Sequence, residues 1–132
     1  MDELIVKNYR RLVKSGFKYA GSFENPSIFL TDQTGERIRV CMNIGSYLNL
    51  YINVKENSIT GIKYLCICNP ATNIAIEFLC TLVDGKTLKE AGAITEDSFV
   101  KLLGGRSDEI RPQINSLIQL LKIGLERYQK TT

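Results

Sequence analysis

Residues 66–91, CICNPATNIAIEFLCTLVDGKTLKEA, decide how the rest of the chain is read. Two cysteines spaced by one residue open the stretch, and a sharp helix start follows them. Asn69 is a capping residue, and Pro70 suits the first helical position, where a missing N–H costs nothing. A helix therefore begins just past Cys68. Ile74, Phe78, Leu79 and Leu82 recur at three- and four-residue steps until Asp84-Gly85 supplies a stop in which glycine takes the left-handed conformation. Thr87-Leu88-Lys89-Glu90 is a capping box that starts a second, short helix. Position gives Cys68 its interest. A thiol beside the free N–H groups and positive dipole end of a helix has its thiolate favoured, which makes it a better nucleophile or metal ligand.

Upstream of this stretch the pattern is alternation rather than helical spacing. Tyr47 to Val54 places Leu48, Leu50, Ile52 and Val54 on one face and Tyr47, Asn49, Tyr51 and Asn53 on the other. Lys55-Glu56-Asn57 is a polar turn, and Ser58 to Cys68 runs as a further strand with Ile62, Tyr64, Cys66 and Cys68 on one side. Before them, Ile28 and Leu30 lead into the turn signal Asp32-Gln33-Thr34-Gly35. Ile38, Val40 and Met42 then alternate with Arg37, Arg39 and Cys41, which predicts a hairpin with one buried face. On this count Cys41 points with the two arginines, where a nearby cation helps ionise it; a partly buried, inert cysteine is the other reading.

The two ends of the chain are helical. Leu4, Ile5, Leu12 and Val13 give the apolar side of a short N-terminal helix, and Lys7, Arg10, Arg11, Lys14 and Lys18 form a basic face, read as solvated or as a partner-docking patch. Thr95 caps a short helix with Glu96 and Asp97 in its first turn and Gly104-Gly105 at its end. Ile110, Ile114, Leu117, Ile118, Leu121, Leu125 and Tyr128 then keep a three-four rhythm, with Pro112 near the start, in a long helix able to lie across the sheet. One helix, consecutive strands and several helices predict an α+β domain: an antiparallel sheet of three strands, or four, covered on one face by helices. A length of 132 residues suits one compact domain spanning 1–132.

Composition narrows the chemistry. Apolar residues make up 44% and charged ones 23%, and no apolar run is long enough to span a bilayer, so no membrane partner is expected. Met1-Asp2-Glu3-Leu4 is no secretion signal, which predicts a cytoplasmic protein whose four cysteines are free thiols or ligands rather than a disulfide framework. Histidine is absent, which excludes imidazole catalysis and Cys/His zinc patterns. There is no Cys-x-x-Cys and no glycine-rich phosphate loop either, so the expectation is that the chain is not an enzyme. A net charge of +3 is too small to argue for nucleic acid.

The helix, stop and restart closing on Gly85-Lys86-Thr87-Leu88-Lys89-Glu90-Ala91, just behind a strand ending in cysteine, resemble the NifU/IscU-type (SufU-like) iron-sulfur cluster assembly scaffold family. The likeness runs in both directions. Ala20-Gly21-Ser22-Phe23-Glu24-Asn25 is similar to that family's stretch after its first helix. Gly45-Ser46-Tyr47-Leu48-Asn49-Leu50-Tyr51-Ile52 is similar to the strand after its first cysteine, and Leu103-Gly104-Gly105 with the helix through Leu117 and Tyr128 to its last segment.

The resemblance implies an IscU/NifU-N-like fold and a scaffold in which three cysteines, helped by an aspartate, hold iron and sulfide or zinc at one end of the sheet. Its implied partner is a cysteine desulfurase or another cluster-assembly protein. Carried over by position, Cys68 matches the second cysteine with a one-residue shift in the loop. Ile44 stands where the first thiol is expected, Ser46 where the aspartate is, and Gln113 or Ile114 where the third thiol is. The expected metal ligands are therefore Cys68 and Cys66, which share a face about 7 Å apart at roughly 3.3 Å per residue, with Cys41 from the neighbouring segment if the register allows. Cys80, on the third turn of the helix, is expected to pack inside. Two functions follow: a scaffold-like protein that binds iron or a cluster or accepts sulfur at Cys68, or a protein-interaction module that keeps the fold without the metal.

Overall fold

A computed structural model describes residues 2–32, 40 and 45–131. Among them the order is α1 (Glu3–Ser15), β1 (Ile28–Thr31), β2 (Tyr47–Lys55), β3 (Ser58–Ile67), α2 (Pro70–Val83), α3 (Leu88–Gly92), α4 (Glu96–Leu103) and α5 (Arg111–Thr131). The described strands form one antiparallel sheet in the order β1-β2-β3. The expected pairing of residues 28–30 with 38–42 falls mostly outside the described residues. Within them, the partner of β1 is β2, with Ile28 opposite Ile52 and Leu30 opposite Leu50.

Period-two alternation sorts the sheet into two faces. Ile28, Leu30, Leu48, Leu50, Ile52, Ile62 and Tyr64 are buried on the inner one. The other face is open, with Phe29, Leu65 and Ile67 exposed and the Phe29 and Tyr51 rings 5.3 Å apart. The β2–β3 turn is closed by the Lys55–Ser58 pair, and its two central residues, Glu56 and Asn57, both have positive φ (52° and 61°). Two left-handed residues in a row match the right-handed twist of the strands they join, so a two-residue loop fixes the register.

On the inner face lies α2, and it explains why the sheet needs only one layer of helices. Asn69 Oδ1 accepts the Thr72 N–H at 2.9 Å, Pro70 takes the first turn, and Gly85 (φ 77°) follows the stop at Asp84, as the spacing predicts. Burial differs from the expected stripe. Ala71, Thr72, Ala75, Ile76, Glu77 and Cys80 are buried along with Ile74, Phe78 and Leu79, while Leu82 is half-buried. The helix touches β3 on one side and α1, α4 and α5 on the others, so little of its circumference meets water. Thr87 and Glu90 form the capping box of α3.

The outer elements close the core. Asp2 Oδ1 caps α1 through the Leu4 N–H at 2.8 Å; Ile5 and Leu12 are buried, whereas Val13, expected on the apolar side, is 58% exposed. Its place in the buried face is taken by Asn8, whose Nδ2 donates to Leu4 O and, across to α4, to Leu103 O at 2.9 Å. Lys7, Arg10, Arg11, Lys14 and Lys18 are exposed. α5 lies against α2 and β1, with Ile114, Leu117, Ile118, Leu121 and Leu125 buried as its rhythm predicts. Gly124 sets how close it comes: a Cβ there would stand 2.7 Å from both Leu30 methyl carbons. No described helix is long and apolar enough to cross a membrane.

Candidate thiol site

Strand alternation carries Tyr64 and Cys66 onto the inner face, and Cys66 is held opposite Leu48 in the ladder. The strand ends at Ile67, leaving Cys68 in the joint immediately before Asn69, the cap of α2. Both cysteines are half-buried and packed on the core. Cys66 and Cys68, expected as free thiols or ligands, are here joined to each other as a disulfide. The spacing is shorter too. Their Cα atoms are 5.7 Å apart because β3 stops between them and the chain contracts, where an extended strand through Cys68 gives the longer separation.

Oxidised, the pair offers no thiolate; reduced, it is a dithiol at the strand end, with two sulfurs able to meet at one point. The other candidates do not join it. Cys41 lies outside the described residues, as does Ile44. Cys80 is fully buried and unpaired, and burial, followed by the nearby Glu77 and Asp84, pushes its thiol well above the ordinary range, so it is inert packing. Ser46 is buried, Ile114 is buried in α5 and Gln113 is half-buried. Among the described residues no three Cys, Asp or Glu side chains are grouped to hold a metal ion. The described residues therefore do not fit a complete iron-sulfur cluster or tetrahedral zinc site, which needs four donors.

Two buried carboxylates, neither expected at the site from the sequence, lie near Cys66. Asp32 follows β1 on the inner face and is fully buried. Its Oδ1 accepts the Leu48 N–H at 3.0 Å, its Oδ2 the Val40 N–H at 3.2 Å, and its own N–H donates to Leu48 O at 3.2 Å. Asp32, Leu48 and Cys66 thus lie in one row across the sheet, and the carboxylate fastens Val40 to the start of β2. In sequence it reads as a turn residue, and nothing in the spacing separates a solvated turn from this latch.

Glu77 is the second, and it is only 3% exposed. Its Oε1 accepts the Tyr19 N–H at 3.3 Å and the Tyr64 hydroxyl at 3.1 Å, and that hydroxyl also lies 3.0 Å from Asn73 Oδ1. Burial raises the Glu77 carboxyl above its ordinary value, opposed by the bonds from Tyr19 and Tyr64. Burial first, then the neighbouring Glu77, pushes the Tyr64 phenol far up; Tyr19, whose hydroxyl donates to Asp84, is pushed up to about 12, mainly by burial. The network fastens residues 19–21, which run beside Tyr64, to β3 and α2 just behind Cys66. The available signal was that Glu77 is the lone charged residue in the apolar run of α2.

No protein-family model and no curated protein matches the chain by sequence. Solved structures do match it by shape. A candidate iron-sulfur cluster assembly scaffold protein for the SUF system from Fervidobacterium islandicum superposes with a TM-score of 0.65 at 15% identity, covering 95% of this chain and 96% of that one. The N-terminal part of a nitrogen-fixing NifU-like protein from Brucella abortus gives 0.62 at 12% identity, with 99% and 95% covered. A hypothetical protein gives 0.63 at 16% identity, with 90% and 97% covered. With nearly the whole of each chain superposed, this chain has the fold of SufU-like and NifU-like N-terminal domains.

Proposed function

We propose that this chain works in iron-sulfur cluster assembly as a scaffold-like sulfur acceptor, with Cys68 as the receiving thiol and Cys66 beside it. The observation that carries the reading is the pair itself: two sulfurs brought together where β3 meets the mouth of α2, on a fold shared with a structure described as a candidate cluster assembly scaffold and with a NifU-like N-terminal domain. A thiolate takes sulfur by attacking the outer sulfur of a donor persulfide, which becomes a persulfide on the acceptor while the donor leaves as a thiolate. That step needs a reachable, reduced thiol and no metal. A cysteine desulfurase or other cluster-assembly protein is the expected donor, acting on the reduced form, and the cytoplasm is the expected compartment. Iron or cluster binding needs further donors, from Cys41 or from a partner.

The test is sulfur uptake by Cys66→Ser after reduction, read by intact mass. Gain of one sulfur atom, located at Cys68 by peptide mapping, supports the reading; uptake no greater than in Cys66→Ser/Cys68→Ser refutes it. Anaerobic reconstitution with iron and sulfide, followed by visible absorption, addresses cargo. A chromophore lost in Cys68→Ala makes Cys68 a ligand. The second reading, an interaction module without cargo, is favoured by Ile44, Ser46 and Gln113 or Ile114 standing at the other ligand positions. It predicts neither uptake nor chromophore.

A further inference from the structure

A scaffold that accepts sulfur as a persulfide still has to deliver it as sulfide, two electrons more reduced. We propose that the Cys66–Cys68 pair supplies those electrons: Cys66 is the resolving thiol that expels sulfide from a persulfide on Cys68, leaving the Cys66–Cys68 disulfide. The inference rests on the acceptor role proposed above.

Geometry selects this reaction over its alternatives. Cys66 is fixed by the ladder opposite Leu48, and Cys68 sits two residues on with its Cα 5.7 Å away, inside the range that a direct sulfur–sulfur bond spans. The two sulfurs are found bonded, so the product state is one the fold accommodates. Both residues are only half-buried, which leaves the outer sulfur of a Cys68 persulfide a way out to solvent. A persulfide is a disulfide whose outer sulfur carries hydrogen, and thiolates cleave such bonds by direct attack. The Cys66 thiolate attacks Sγ of Cys68. The bond between the two Sγ atoms forms, the bond from Cys68 Sγ to the outer sulfur breaks, and the electron pair leaves with that sulfur as hydrosulfide. Two cysteine thiols are oxidised to the disulfide, one sulfane sulfur is reduced to sulfide, and the proton of Cys66 passes to solvent. An external dithiol reductant then restores the pair for another turnover. The disulfide is on this account the spent form of the site. Cys80 cannot substitute, because it is fully buried in α2.

The experiment uses the full chain, reduced and then freed of reductant, exposed briefly to glutathione persulfide and desalted at once. Wild type, Cys66→Ser, Cys68→Ser and Cys66→Ser/Cys68→Ser are followed anaerobically for released sulfide and by intact mass, with circular dichroism as the check on folding. The expected result is one sulfide released per wild-type chain, with loss of the two thiol hydrogens as the disulfide forms. Cys66→Ser should keep its added sulfur and release no more than the double variant. Wild type that holds its persulfide without releasing sulfide, or Cys66→Ser that releases it as fast as wild type, overturns the resolving role and leaves the acceptor role standing. Failure of Cys66→Ser to gain sulfur above the double variant overturns both.

Discussion

Gly124→Ala adds one methyl group where α5 crosses β1, and the structure says what that methyl meets. Its carbon would stand 2.7 Å from both Leu30 Cδ atoms and 3.1 Å from Cγ. Unstrained carbons rest at about 3.5–4.0 Å, so two contacts are short by about 1 Å. Leu30 is 3% exposed and cannot simply swing away. Overpacking of this kind costs about 1–3 kcal/mol. Against it, alanine is favoured over glycine inside a helix by about 1 kcal/mol. The net is a loss of about 1 kcal/mol, small enough to be mistaken for noise, so the informative measurement is the coupling. Leu30→Ala alone should cost about 2–5 kcal/mol, because it leaves a cavity. In the double variant the new methyl fills part of that cavity and its helix-propensity gain is no longer opposed. The pair should therefore be less destabilised than the sum of the singles by at least about 1 kcal/mol. Urea unfolding with an unchanged m-value reads all four proteins. Additivity within about 0.5 kcal/mol would show that α5 does not lie on Leu30, and the packing described above would be wrong.

Three further outcomes follow from the site. Glu77 has a folded-state pKa raised above its ordinary 4.5, so its contribution to stability is present below that value and is lost as pH rises through the folded pKa. Glu77→Gln keeps the acceptor oxygen without the charge, so its stability relative to wild type should grow between pH of about 4 and 8; a constant difference in urea midpoint across that range refutes the buried carboxylate. Reducing Cys66–Cys68 with dithiothreitol opens a ring with a sequence separation of 2 and should cost only about 1–2 kcal/mol on the chain-entropy account, so a collapse of the fold on reduction would refute a site that cycles between dithiol and disulfide. Restoring the missing donors with Ile44→Cys/Ser46→Asp should tighten zinc binding by at least about tenfold, or ~1.4 kcal/mol, in competition with a chelator under reducing conditions. No change means that residues 44–46 do not face Cys68.

Local rules made most of the fold legible. Asn69-Pro70, Asp84-Gly85 and Thr87–Glu90 each place a boundary by short-range chemistry: a side-chain acceptor for free N–H groups, a missing donor, a left-handed residue. All three are found where those rules put them. The alternation in β2 likewise has one register that buries Leu48, Leu50 and Ile52 together. What the sequence did not disclose depends on tertiary neighbours. Val13, expected on the apolar side, is exposed, and Asn8 is buried because its amide is satisfied on Leu103 O, an acceptor distant in sequence. The burial of α2 on nearly all sides is set by three other helices, and no window on α2 alone contains that information.

The same division governs the site. Placement of Cys66 on the inner face followed from strand period, and Cys68 at the mouth of a helix followed from the cap. Their bonding to each other did not, because it depends on where β3 stops. Asp32 and Glu77 were silent for a related reason: a carboxylate becomes a structural strut only when burial removes its water and backbone or phenol donors replace it. Both struts flank Cys66, one across the sheet through Leu48 and one through Tyr64 two residues earlier. A metal cup tolerates adjustment, since the ion draws its ligands in on binding. A thiol that must strike one particular sulfur at a fixed distance has no such help, and its backbone has to be held beforehand. The rigid support lies around Cys66, the residue assigned the attack, whereas Cys68, the residue assigned to accept sulfur from outside, sits in the joint between strand and helix.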